Sequence, residues 1–240
     1  MDDGKEIIKL VFGDSSDSED ERAGEKLKDS ASSPASVDGY SVWESVNDIK
    51  GLWICRDFLS PSDQLSLLSS VLHEGWFVSP ANNQAMRFGD LPCWATELSD
   101  SIRRVSLLGE YAEERMESGY SCRPLPFEIA WRQPLFDQMI VNVYLPGEGI
   151  SPHIDLLRFE DGIAIVSLES SCVMHFSYAH CEPRQTVPVL LTPGSLILVS
   201  GEARYVWQHE INRKPGNQLW KGEELKQERR TSITLRKLCS

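Results

Sequence analysis

From about residue 127 onward the chain breaks into short apolar or alternating runs separated by turn residues. They cover residues 139–144, 163–168, 172–176, 186–190, 195–199, 205–209 and 230–237. Runs of this length, rich in β-branched and aromatic side chains, predict strands. A further strand is expected over 51–55. Ser60-Pro61-Ser62-Asp63 supplies an N-cap, a proline at the first helical position and an acid in the first turn, and so predicts a helix start. Leu65, Leu68 and Leu72 would form its apolar face. A second helix fits 97–118, with Leu98, Ile102, Val105, Leu108 and Met116 inward and Gly119 as its stop. Two helices followed by many short strands predict an α+β, mainly β chain: a double-stranded β-helix (jelly roll) with supporting N-terminal helices.

The first forty residues follow neither pattern. Residues 14–21 contain no apolar side chain, and residues 30–36 are rich in Ser, Ala and Pro. Such segments cannot bury enough surface to order themselves. An acidic, Ser-rich disordered tail is expected over 1–40, with one folded domain over 41–240. At 240 residues and 41% hydrophobic content the chain can bury a full core. No apolar run approaches the ~20 residues of a membrane span, and the start lacks the basic-then-apolar order of a signal peptide. Six scattered cysteines without a C-x-x-C pair read as reduced thiols of a cytoplasmic or nuclear protein. The net charge of −12 argues against broad binding to duplex DNA. Residues 203–240, with nine basic and four acidic residues, still offer a local basic edge.

The chemistry centres on His153-Ile154-Asp155. Side chains alternate along a strand, so His153 and Asp155 would point the same way. With His209 from a distant strand they would complete a 2-His-1-carboxylate facial triad, which suits Fe(II) and leaves positions for a co-substrate and dioxygen. Just upstream, Asn142 and Tyr144 share one face of a strand. The turn 146–149 is expected to return the chain to that same sheet. At the end of the chain Arg230, Ser232, Thr234 and Arg236 alternate with Ile233 and Leu235. A polar face with two arginines, backed by an aliphatic one, suits a barrel interior that receives a small anion. Arginine's fork matches a carboxylate. A dicarboxylate such as 2-oxoglutarate needs one such anchor and a metal at its 2-oxoacid end.

In order and spacing, Asn142-x-Tyr144, His153-x-Asp155, His209 and Arg230-x-Ser232-x-Thr234-x-Arg236 resemble the signature of the AlkB-type Fe(II)/2-oxoglutarate dioxygenases. The resemblance covers roughly residues 50–238; the family usually has Asn or Ser at the Ser232 position. Residues 83–89, 201–205 and 229–232 are similar to the branch that hydroxylates a modified wobble uridine of tRNA, within its AlkB-like domain only. The resemblance implies that His153, Asp155 and His209 hold Fe(II). It implies that Arg230 and Tyr144 take the far carboxylate of 2-oxoglutarate, that Asn142 and Arg236 address the near one, and that dioxygen is the second co-substrate. That branch has a further zinc-binding histidine two residues after the iron-binding aspartate, where this chain has Leu157.

Substrate choice is written less clearly. Residues 75–94 resemble the family's nucleotide-recognition lid, in which Phe88 and Trp94 offer faces for an extruded base. Anchoring of a lid to the core is an equally good account of either ring. Cys172, His175, His180 and Cys181 lie along a strand and its turn rather than in a zinc arrangement. Three readings follow: an oxygenase acting on a modified base in RNA, tRNA included; the same chemistry on a protein side chain; and a catalytically silent jelly-roll binding module.

Overall fold

Alternation along the strands sorts the apolar side chains into two cores, and the site lies beside one of them. The computed structural model describes residues 42–46, 48–79, 82–108, 110–111, 123–178 and 186–239. The acidic segment 1–40, the end of the second expected helix with Met116 and Gly119, and His180-Cys181 lie outside the described residues. The first half contains β1 (Val42–Ser45), β2 (Leu52–Cys55), α1 (Pro61–His73), β3 (Gln84–Phe88), α2 (Cys93–Leu108), β4 (Glu110–Tyr111) and α3 (Phe127–Ala130). Then follow β5 (Gln138–Tyr144), β6 (Ile150–His153), β7 (Ile163–Leu168), β8 (Cys172–Tyr178), β9 (Thr186–Leu191) and β10 (Leu196–Val199). The chain closes with α4 (Gly201–Tyr205), β11 (Trp207–Ile211), β12 (Leu219–Trp220), β13 (Glu223–Glu224) and β14 (Arg230–Arg236).

Eight strands form one sheet in the order β3-β5-β14-β7-β10-β2-β1-β4, and four form a second in the order β6-β11-β8-β9. On one face of the large sheet Val166, Leu168, Leu196, Leu198, Ile233 and Leu235 pack with Leu67, Val71, Leu98 and Ile102 of the helices. On the other, Ile163, Ile165, Ile197 and Val199 meet Met174, Phe176, Val189 and Trp207 of the small sheet. Burying each such side chain contributes about 1.5–3 kcal/mol. A sheet covered on both faces needs continuous apolar runs, which is why 163–168 and 196–199 show no polar alternation. The result is the expected jelly roll with helices on its outer face.

Four details depart from the sequence reading. Ser60 caps α1 as expected, its hydroxyl accepting from the Asp63 N–H at 3.2 Å. Of the expected face only Leu68 packs on the core, half-buried; Leu65 and Leu72 are exposed, and the fully buried residues are Leu67 and Val71. Leucines lie on more than one side of this helix, so spacing alone does not choose between two stripes roughly 110° apart. Helix α2 starts four residues early: the Pro92 carbonyl accepts from Ala95 and Thr96 at 2.9 and 3.1 Å, and Leu108 ends exposed. The run 205–209 begins as the last residue of α4, and its strand spans Trp207–Ile211. Finally, the turn after β5 does not return to the same sheet. It crosses to the small one, where β6 pairs antiparallel with β11. Gly149 permits the crossing, because a Cβ there would lie 1.9 Å from the Ile211 carbonyl oxygen.

Among the described residues no helix is long and apolar enough to cross a membrane. The burial of α1 gives a direct check. Leu67→Ala should destabilise by an amount near the lower end of the ~2–5 kcal/mol seen for buried leucines, whereas Leu65→Ala should stay within about 0.5 kcal/mol. Urea unfolding of both variants measures this, and equal losses would contradict the assigned face.

Candidate active site

Two histidines are set opposite each other by a strand ladder. His153 ends β6 and is the Cα partner of His209 on β11, and their rings are 4.3 Å apart between centroids. Asp155 lies beyond the end of β6, in irregular chain, yet its carboxylate joins them. The three ligand atoms fall within 4.8 Å of one another. Among the described residues this is the one group of three or more His, Cys, Asp or Glu side chains so arranged.

Each member is held in a state suited to binding a cation. His153 Nδ1 faces the Ser151 carbonyl at 2.9 Å. A carbonyl only accepts, so Nδ1 is the donor here and Nε2 is the nitrogen left for a metal. His209 is buried, and burial first, then the neighbouring His153, lowers its pKa to about 4. It is therefore neutral at pH 7. Asp155 Oδ1 is paired with Arg236 Nη2 at 3.0 Å, and Oδ2 lies 3.9 Å from His209 Nε2.

Beside the triad is a small, partly open cavity. Its lining includes all nine polar residues singled out from the sequence: Asn142, Tyr144, His153, Asp155, His209, Arg230, Ser232, Thr234 and Arg236. The expected alternation on β14 explains this, since Ile233 and Leu235 point into the opposite core. Register explains the rest. Arg230 stands opposite Tyr144 and Ser232 opposite Asn142, so β5 and β14 present one continuous polar surface.

Arg230 is 1% exposed. Its Nε donates to Ser167 Oγ at 3.1 Å, but neither Nη1 nor Nη2 has a partner among the described residues. Buried guanidinium N–H groups without acceptors are costly, and a carboxylate in the cavity would satisfy both at once. Burial raises the pKa of Tyr144 above its ordinary value, with Arg230 and then a hydrogen bond to Ser232 opposing the shift. Tyr144 accordingly remains a neutral donor beside that guanidinium.

The two aromatic residues expected near the substrate are separated. Phe88 is exposed at the end of β3, an edge strand of the large sheet. Arg158, three residues after Asp155, lies over its ring at 5.7 Å. Trp94 is on α2 and does not line the cavity. Its indole N–H donates to Glu74 at 2.9 Å, and its ring leans on Trp76 at 6.2 Å. Several supporting residues carried no signal strong enough to assign from sequence. Ser167 sits in an otherwise apolar strand, and Gln84 donates to Asn142 Oδ1 at 2.7 Å across β3 and β5. Arg213 is fully buried and donates to the carbonyls of Leu145 and Glu228 at 3.2 and 2.6 Å.

A family model described as the 2OG-Fe(II) oxygenase superfamily matches residues 51–236. The chain belongs to the 2OG-Fe(II) oxygenase superfamily. Within it, the chain is similar to AlkB homologues. It is 30% identical over 214 residues to the "Alkylated DNA repair protein ALKBH8 homolog" of Arabidopsis thaliana, covering 82% of this chain and 61% of that protein. It is 31% identical over 166 residues to the "tRNA (carboxymethyluridine(34)-5-O)-methyltransferase alkbh8" of Xenopus tropicalis, covering 67% of this chain and 25% of that protein. The chain thus spans less than two thirds of the length of either relative. A solved structure, "The structure of OsALKBH1", superposes with a TM-score of 0.53 at 13% identity, over 78% of this chain and 96% of that one. That likeness concerns the fold alone.

As a 2OG-Fe(II) oxygenase the protein is an oxidoreductase that uses Fe(II), 2-oxoglutarate and dioxygen. The donor set fits: two imidazoles and a carboxylate converge, and the unpartnered Nη groups of Arg230 belong to a residue lining the same cavity. If these three side chains hold the ion, His153→Ala, Asp155→Ala and His209→Ala should each abolish succinate formation, even with iron added. Near-wild-type turnover by any one of them would remove that residue from the triad.

Proposed function

We propose that this 2OG-Fe(II) oxygenase oxidises a modified base in RNA, with tRNA the first candidate. The observation that carries the reading is similarity over two thirds of the chain to proteins named for a tRNA wobble uridine. One is the Xenopus relative. Another, from Macaca fascicularis and bearing the same name, is 38% identical over 177 residues and covers 67% of this chain and 24% of that protein.

In this reading His153, Asp155 and His209 hold the iron. Arg230 and Tyr144 receive the far carboxylate of 2-oxoglutarate, and Asn142 and Arg236 face the near one. Iron, 2-oxoglutarate and dioxygen together supply a two-electron oxidation that leaves succinate and carbon dioxide and adds one oxygen atom to a substrate C–H. The protein's own share is to fix these groups and keep water from the cavity. A hydroxyl placed on an N-methyl group would be lost with formaldehyde, whereas on a carbon side arm it would stay.

For the base itself we assign the stacking face to Phe88. It is exposed, and it shares the sheet face of Asn142 because Gln84, Met86 and Phe88 alternate along β3 in register with Asn142, Ile140 and Gln138. Leu156 and Leu157, which follow directly on Asp155, are also exposed and apolar. Trp94, with its N–H and ring already engaged, is given no substrate contact. A protein side chain is the second reading, favoured by the acidic composition.

Incubation of the protein with total RNA and with peptides, followed by mass spectrometry of nucleosides and peptides, tests this reading. One modified nucleoside should change in a manner dependent on iron and 2-oxoglutarate. Phe88→Ala should slow that change about tenfold to a hundredfold, since stacking on an aromatic is worth ~1–3 kcal/mol per base. Uncoupled 2-oxoglutarate consumption should continue. An unchanged nucleoside pool together with a peptide that gains one oxygen would move the substrate to protein.

A further inference from the structure

The strand ladder accounts for the two histidines of the triad but not for its carboxylate. β6 ends at His153, and residues 154–156 belong to no strand. Asp155 is nevertheless buried and placed against both rings. One of its restraints is Arg236, already described. The other comes from the short helix before β11.

Arg204 is 2% exposed. Its Nη1 donates to the Asp155 carbonyl at 2.9 Å, and its Nη2 donates to the carbonyls of Leu156 and Phe159 at 2.8 and 3.0 Å. The segment answers in the opposite direction. Both carboxylate oxygens of Asp161 accept from the Gly201 N–H, at 3.0 and 3.1 Å, and so hold the first residue of α4. Asp161 Oδ1 also accepts from the Gly162 N–H at 2.7 Å, which fixes the carboxylate itself. Helix α4 therefore grips 155–159 at one end and is gripped by residue 161 at the other. Only Val206 separates α4 from β11, so Arg204 and His209 lie on adjoining elements.

We infer that Arg204 and Asp161 form a reciprocal clasp that sets Asp155 at the correct distance from His209: they are positioning residues for the metal centre, acting through the backbone of its carboxylate ligand. Three carbonyls converging on one side chain call for a planar fork with several donors. Arginine supplies it, and lysine, with a single compact head, does not. The sequence around Arg204 shows no alternation or polar run that would advertise this role. Burial of a cation among carbonyls is what reveals it.

The inference rests on the assignment of the triad, so its test uses metal binding itself. Mn(II) is the probe, followed by electron paramagnetic resonance, and the visible spectrum of Co(II) reports ligand geometry. Residues that orient a metal ligand without touching the metal typically alter affinity by about 10- to 100-fold. Arg204→Lys and Asp161→Asn should weaken Mn(II) binding within that range and alter the Co(II) spectrum. Leu67→Ala, which loosens a distant core, should lower the unfolding midpoint and leave both metal readouts unchanged. If Arg204→Lys does not fold, Asp161→Asn, at a more exposed position, decides alone. Wild-type affinity and spectrum in a folded Arg204 or Asp161 variant would overturn the clasp while leaving the triad intact. Failure of the wild type to bind Mn(II), with His209→Ala no different, would overturn the triad and the clasp together.

Discussion

A central strand with a charged inner face constrains the rest of the molecule. β14 lies between β5 and β7 in the large sheet, where both faces are buried, yet every second residue from Arg230 to Arg236 is polar. Taking guanidinium groups from water costs several kcal/mol each unless hydrogen bonds replace the hydration. The surroundings supply part of that compensation. Ser167 takes the Arg230 Nε, and Asp155 takes Arg236. The Nη groups of Arg230 have no partner among the described residues. The aliphatic half of the same strand, Ile233 and Leu235, anchors it to the helix-covered core. Stability and binding are thus divided between the two faces of one strand.

The His-Asp-His triad shows a similar division. Hydrogen-bonded pairing of β6 with β11 sets His153 against His209, a precise but inflexible arrangement. Asp155 comes after the ladder has ended and depends on side chains instead: Arg236 on its carboxylate, Arg204 on its backbone. A facial arrangement needs three ligands on one side of the ion and freedom on the other. Leaving one ligand on irregular chain lets it approach from outside the plane of the sheet, which a third strand residue would not do as readily.

The sequence made the strongly periodic parts legible. The alternation of 230–236 and of Asn142 and Tyr144 named one face of each strand, and antiparallel register brought those faces together. The nine polar residues accordingly meet in one cavity. The reading fell short where the deciding information is tertiary. His153 was expected in the sheet that carries Asn142, but period two says which side a residue faces and not which sheet it joins. Leucines at 65, 67, 68 and 72, with Val71, permit more than one helix face, and only the covering sheet selects Leu67 and Val71. Trp94 looked available for a base because a sequence shows a ring but not its partners, here Glu74 and Trp76. Arg204 belonged to a recognisable motif without a legible role, since its acceptors are backbone carbonyls some 45–49 residues away.

The central claim is that the buried cation on β14 receives the co-substrate, and calorimetric titration of 2-oxoglutarate into the Mn(II)-loaded protein tests it most directly. Wild type should bind one equivalent. Arg230→Ala should weaken binding by about 2–5 kcal/mol, the usual loss when one partner of a buried charge pair is removed, while Mn(II) uptake stays unchanged. Binding of 2-oxoglutarate by Arg230→Ala with wild-type affinity would contradict the account, placing the anchor elsewhere and leaving the polar face of β14 without its explanation.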